Sequence, residues 1–174
     1  MIHLTPPITD DDIKQLHVGD KVLISGTIYT ARDQAHLRLL KEKNPQFNLE
    51  GAVIFYVGPT PNKPNQAVGA SGPTSSYRMD AMAPELMARG VKLMIGKGDR
   101  SEDFRHAMIE HNASYLIATG GAGALLSSRI KNSKIIMYED LGPEAIRELT
   151  VESFPCFVAY DVHGKNIFKG DANA

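Results

Sequence analysis

The strongest constraint on the fold is an alternation of two periods. Runs of β-branched and apolar residues, "KVLISGTIYT" (21–30), "GAVIFYVGP" (51–59), "VKLMIGKG" (91–98), "SYLIATGG" (114–121) and "SKIIMYEDLG" (133–142), each end in glycine or a polar turn. Segments of helical period lie between them: "ARDQAHLRLLKEK", "DAMAPELMARG" and "SEDFRHAMIEHN". Strands that alternate with helices, most plainly through the second half, predict an α/β fold with parallel pairing. In such a sheet, ligands bind where strands end and loops begin.

Local signals refine the outline. The first residues, 1–8, with "TPP", read as extended. Thr9 and Ser101 stand where helix caps are expected, each ahead of carboxylates in a first turn. Ala35, Leu39 and Leu40 share an apolar face after the first long strand. "PEAIREL" (143–149) reads as a short helix with Pro143 in its first turn. "FPCFVAYDVHGKNIF" reads as a closing hairpin turning near His163–Gly164. "TPNKPNQAVGASG" (60–72) is a loop or loose hairpin by its Pro, Asn and Gly content.

Composition narrows the function. The chain has 174 residues and a formal charge of -1. That length fits one domain with a real core. The near-neutral charge argues against nucleic acid or an anionic membrane as partner. No apolar run reaches membrane-spanning length and the start is not a signal peptide, so a cytoplasmic protein is expected. The single cysteine, Cys156, lies among apolar and aromatic residues and reads as a buried core thiol. The six histidines show no HEXXH; a metal held by this chain alone is not expected.

The chemistry sits in three cationic motifs. Arg32 lies in "SGTIYTARDQAH", Arg78 in "GPTSSYRMD" and Lys97 in "GKGDRS". All three are set among Gly, Ser and Thr rather than on a charged helix face. Glycine lets backbone approach a ligand, and arginine binds carboxylates with two parallel hydrogen bonds. A small dianion needs several charged hydrogen bonds, each worth about 1.5–3 kcal/mol, to offset its lost hydration. Two arginines, a lysine and nearby hydroxyls match a dicarboxylate. "TGGAGALLSS" sits like a dinucleotide loop but lacks the third glycine of G-x-G-x-x-G, so a tight strand-to-helix turn or a backbone contact is the better reading.

"SGTIYTARDQAH", "GPTSSYRMD", "GKGDRS", "ATGGAGAL" and "ESFPCFVAYDVHGKNIF", in this order, resemble the C-terminal or beta-subunit part of class I iron–sulfur fumarate hydratases. They are also similar to the L-tartrate dehydratase beta subunit. The resemblance spans about Leu16 to Phe168. It implies a swivelling β/β/α fold, with residues 1–174 forming a single domain. It also implies a hetero-oligomer with an alpha subunit, which would hold a [4Fe–4S] cluster through three cysteines.

For the site, the resemblance implies that Arg32, Arg78 and Lys97 bind the substrate carboxylates and that Thr74 of "GPT" is the candidate base. Asp33 and Asp80, each beside a functional arginine, would orient those guanidiniums or cap local turns. His36 would reach the site or be an ordinary helix histidine. The implied reaction is reversible hydration of fumarate to L-malate. L-Tartrate or another 2-hydroxy diacid is the alternative substrate, and a non-catalytic dicarboxylate- or partner-binding module the alternative function. "TIYTARD" favours the fumarase version. Tyr77 stands where many fumarases have a small residue, and Asp99 where Asn is common.

Overall fold

The computed structural model describes residues 1–58, 75–118 and 123–168, without the side chains of 123–125. In chain order the elements are β1 (Ile2–Leu4), α1 (Asp10–Lys14), β2 (Lys21–Thr30), α2 (Asp33–Lys41), β3 (Val53–Phe55), a 3-10 turn (Ser76–Met79), α3 (Ala83–Ala88), β4 (Leu93–Gly96), α4 (Glu102–Glu110), β5 (Ser114–Ile117), α5 (Gly123–Ser128), β6 (Ile130–Met137), a second 3-10 turn (Glu139–Glu144) and β7 (Ile146–Tyr160). The alternation read from the sequence is the alternation observed. Both anticipated caps form. Thr9 and Asp12 make a reciprocal capping box on α1, and Ser101 Oγ accepts from Phe104 N at 3.1 Å at the start of α4.

β1 to β5 run parallel, each pairing with the next. β7 is antiparallel to β5, β6 and β2. Because β7 reaches both β5 and β2, the sheet closes on itself into a barrel-like α/β domain. β2 supports this by its length: its residues 22–24 pair with β1, and 29–30 with β3. β7 covers its other edge. Closure needs curvature, and the β2–β7 ladder supplies it. The register shifts between Ile24 and Gly26, where Gly26 has φ 126° and Ser153 opposite has φ 49°. Ser25 Oγ takes up the amide of Ser153 at 2.9 Å, so the irregularity costs no backbone donor.

The period of two along the strands divides the core. Val53, Phe55, Leu93 and Ile95 join Val22, Ile24, Ile28, Leu149, Val151, Phe154 and Cys156 in one buried cluster. Ile54, Tyr56 and Met94 point the other way, into a second cluster with Leu39 of α2, Leu86 and Met87 of α3, and Phe104 and Met108 of α4. Cys156 is fully buried, as expected, and burial pushes its thiol pKa up.

The C-terminal third corrects the sequence reading. "PEAIREL" is not a helix. Residues 139–144 form a 3-10 turn broken at Gly142 (φ 59°, ψ -121°), and β7 starts at Ile146. Helix propensity loses because Ile146–Val151 pair with β6 and Glu148–Val151 pair with β2 as well. The closing hairpin is present only in part. Its turn lies at Asp161–Lys165 with Gly164 at φ 90°, and the return arm is a single bridge from Asn166 to Tyr160. The expected loop at 60–72 lies outside the described residues. Among the described residues no helix is long and apolar enough to cross a membrane.

Candidate active site

Parallel neighbours end on the same edge of a sheet, so the exits of β2, β3 and β4 converge there. Arg32 follows β2 after Ala31 and precedes α2 in extended conformation (φ -105°, ψ -165°). Its carbonyl accepts from His36 N at 2.9 Å and from His36 Nδ1 at 2.8 Å. Thr30, fully buried, ties the strand end to the start of β7 by accepting from Arg147 N at 3.0 Å.

The Arg32 side chain lies across the exit of β3. A Cβ on Gly58 would stand 3.1 Å from Arg32 Cδ and Nη1, so glycine is what makes room. Arg32 Nε is buried without a hydrogen-bond partner among the described residues, 4.0 Å from Glu144 Oε1.

Asp33 does not orient the arginine beside it in sequence. Its Oδ2 lies 2.8 Å from Nε of Arg78, on the turn that follows β3. Engaging Nε leaves the two terminal nitrogens of that guanidinium for another anion. The Arg78 side chain is 47% exposed.

The turn carrying Arg78 is fastened to the exit of β4. Ser75 bridges Lys97 in parallel register. Ser76 N donates to Lys97 O at 3.0 Å, and Lys97 N donates to Ser76 Oγ at 2.9 Å. Tyr115 OH also donates to Ser76 Oγ, at 2.7 Å. The fit is tight: a Cβ on Gly96 would collide with Ser76 Oγ and stand 2.8 Å from the Tyr56 ring. Lys97 itself is exposed. Arg32, Arg78 and Lys97 thus occupy neighbouring strand exits, with Asp33 and Ser76 as the links. Thr74 lies outside the described residues.

Asp80 likewise passes over the nearby Arg78. Its Oδ1 lies 2.5 Å from Arg100 Nε, and its Oδ2 accepts from Ser101 N at 2.8 Å. His36 is 1% exposed and packs edge-on to Tyr56, 5.4 Å between centroids. Burial lowers its pKa to about 4. It is therefore neutral near pH 7, with the proton on Nδ1 facing the Arg32 carbonyl. Tyr77 is 67% exposed, pointing outward. Asp99 accepts from Arg100 N at 2.9 Å and from Tyr160 OH.

Arg100 was not singled out from the sequence. Its side chain is fully buried against Asp80, with the guanidinium 3.5 Å from the Phe104 ring centroid. A signal was available: Arg100 directly precedes the capping Ser101, and a cation at a helix N-terminus opposes the helix dipole. Such a residue needs a partner, and Asp80 is it.

A model of the family Fumarase C-terminus matches residues 1–170. The chain is 36% identical over 173 residues to a Methanocaldococcus jannaschii protein named "Putative L(+)-tartrate dehydratase subunit beta", covering 93% of this chain and 88% of that one. It is 32% identical to the L(+)-tartrate dehydratase subunit beta of Escherichia coli K12, covering 94% and 85%. It is 34% identical to the fumarate hydratase class I, aerobic, of the same strain, covering 90% of this chain but only 30% of that protein. The chain thus spans most of the beta subunits and about a third of the class I enzyme. By the match over nearly its whole length, the chain belongs to the Fumarase C-terminus family.

Proposed function

We propose that this chain is the beta subunit of a two-subunit hydro-lyase that reversibly hydrates fumarate to L-malate. The observation that carries the proposal is the grouping of Arg32, Arg78 and Lys97 on adjacent exits of β2, β3 and β4, with Asp33 Oδ2 2.8 Å from Arg78 Nε. The terminal nitrogens of that guanidinium suit a carboxylate, and Arg32 Nε is a buried donor without a hydrogen-bond partner among the described residues. Arg32 and Lys97 flank Arg78, so the three bind both carboxylates of a C4 diacid.

The proposed [4Fe–4S] cluster belongs to an alpha subunit. This chain has one cysteine, fully buried in the core, so it cannot supply a cluster's thiolates. The cluster would act as a Lewis acid on the hydroxyl that leaves as water. This chain does the rest. Thr74 takes the C3 proton of malate, and charge builds on the adjacent carboxylate. Arg78 and Lys97 stabilise that charge where it develops. Threonine needs its own proton drawn away before it can act as a base. In this account the domain has the swivelling β/β/α architecture and closes over the cluster-bearing subunit.

A second reading, an L-tartrate dehydratase subunit, is favoured by the names of relatives that the chain covers to 85–88% of their length. The test compares malate and tartrate dehydration by the anaerobically purified complex. A higher kcat/KM on malate supports the proposal; a higher value on tartrate replaces it. A complex that binds fumarate without converting any diacid would make the chain a binding module.

A further inference from the structure

Two fixed points bracket Arg78. At one end Ser76 is laced to Lys97 by two hydrogen bonds and to Tyr115 by a third. At the other, Asp80 is held by Arg100 and by the amide of Ser101. Lys97, Arg100 and Ser101, which hold the two ends, all lie in the connection between β4 and α4.

Arg100 is unusual in this setting. Its side chain is fully buried, and Asp80 beside it is 14% exposed. Its guanidinium rests on Phe104, with the rings of Tyr115 and Tyr56 at 4.8 and 5.1 Å. Both terminal nitrogens donate to Tyr56 OH at 3.3 Å. Its backbone amide donates to Tyr160 OH at 2.7 Å. Tyr56, Tyr115 and Tyr160 therefore all contact Arg100, and Tyr115 also bonds Ser76 of the turn that presents Arg78. A solvent-facing helix would not need a buried cation here, and an apolar residue would pack more cheaply against Phe104. What the arginine adds is direction: a planar fork fixes Asp80 in distance and in angle.

We propose that Arg100 is a positioning residue for the reaction, acting through Asp80 to hold the Ser76–Met79 turn so that Arg78 and Lys97 share one substrate carboxylate. This rests on the hydro-lyase reading of the site. Lysine at this position keeps the charge but cannot bond Asp80 through one edge, bond Tyr56 through the other and lie flat on Phe104.

The test uses the complex of the full chain with its cluster-bearing subunit, comparing wild type, Arg100→Lys and Asp80→Asn. Three readouts are taken: Tm, hydrogen exchange at the Ser76 and Lys97 amides, and kcat and KM for the diacid. Expected for Arg100→Lys is exchange at least about tenfold faster at those amides and kcat/KM lower by about 10²-fold per folded molecule, as for a misplaced binding group. Asp80→Asn should behave alike, and decides the matter if Arg100→Lys does not fold. Wild-type kcat/KM per folded molecule, whatever the Tm, overturns the proposal. So does unchanged exchange at both amides. If the wild-type complex converts no diacid, the hydro-lyase reading fails, and exchange alone then decides whether Arg100 positions the turn.

Discussion

Asp33 Oδ2 lies 2.8 Å from Arg78 Nε, so the carboxylate that follows Arg32 in sequence serves the arginine of a different loop. This crossed pairing ties the exit of β2 to the turn after β3.

Asp33→Asn separates orientation from stability. The Arg78 side chain is 47% exposed, so the ion pair contributes at most about 1 kcal/mol and the Tm should move little. With Arg78 no longer aimed, kcat/KM on the diacid should fall about tenfold, chiefly through KM. Thermal melts and steady-state kinetics on the reconstituted complex check both halves.

Arg78→Ala should cost about 10²–10³ in kcat, the scale of one lost oxyanion donor. Arg78→Lys should not restore it. A single ammonium cannot satisfy Asp33 and a substrate carboxylate in the geometry that a fork provides. Near wild-type turnover by either variant would remove Arg78 from the binding role.

Gly96→Ala tests the seam between β4 and the Arg78 turn. The added methyl meets Ser76 Oγ and the Tyr56 ring; moving Ser76 breaks its bonds to Lys97 and Tyr115, and moving Tyr56 breaks its bonds to Arg100. A loss of about 1–3 kcal/mol is expected in denaturant titrations. The protein that remains folded should have reduced diacid turnover, because Ser76 must shift.

His36 predicts a pH dependence. Its folded pKa, about 4, lies below the ordinary 6.5 because burial disfavours the cation. Between those values the unfolded chain binds the extra proton, so stability rises with pH across this window and is lost on acidification from pH 6.5 towards 4. The contribution approaches about 3 kcal/mol at the acid end. His36→Asn, which keeps a donor for the Arg32 carbonyl, should flatten this part of the stability–pH curve. An identical slope in the variant would show that other groups carry it.

Much of this was legible in the sequence. Alternating periods marked β2 to β5 and α2 to α4, and Thr9 and Ser101 capped as read. The three cations were visible because glycine and hydroxyl residues, not charged ones, surround them. Two things were not legible. β7 contains a segment with helical propensity, and only its pairing with two partners at once makes it a strand. The carboxylate–arginine pairs were hidden because chain adjacency points Asp33 to Arg32 and Asp80 to Arg78. The folded sheet brings Asp33 to Arg78 and Asp80 to Arg100 instead. Long-range pairing of loops is set by strand order, and strand order is not written in local pattern.

In the proposed function this chain supplies half of a diacid site completed by an iron–sulfur subunit. The most direct measurement is fumarate-to-malate turnover by the tagged chain, captured anaerobically from its native cells with its bound partner. Turnover that is lost on exposure to air is the expected result. A captured complex with an intact iron–sulfur partner and no turnover of fumarate would contradict it.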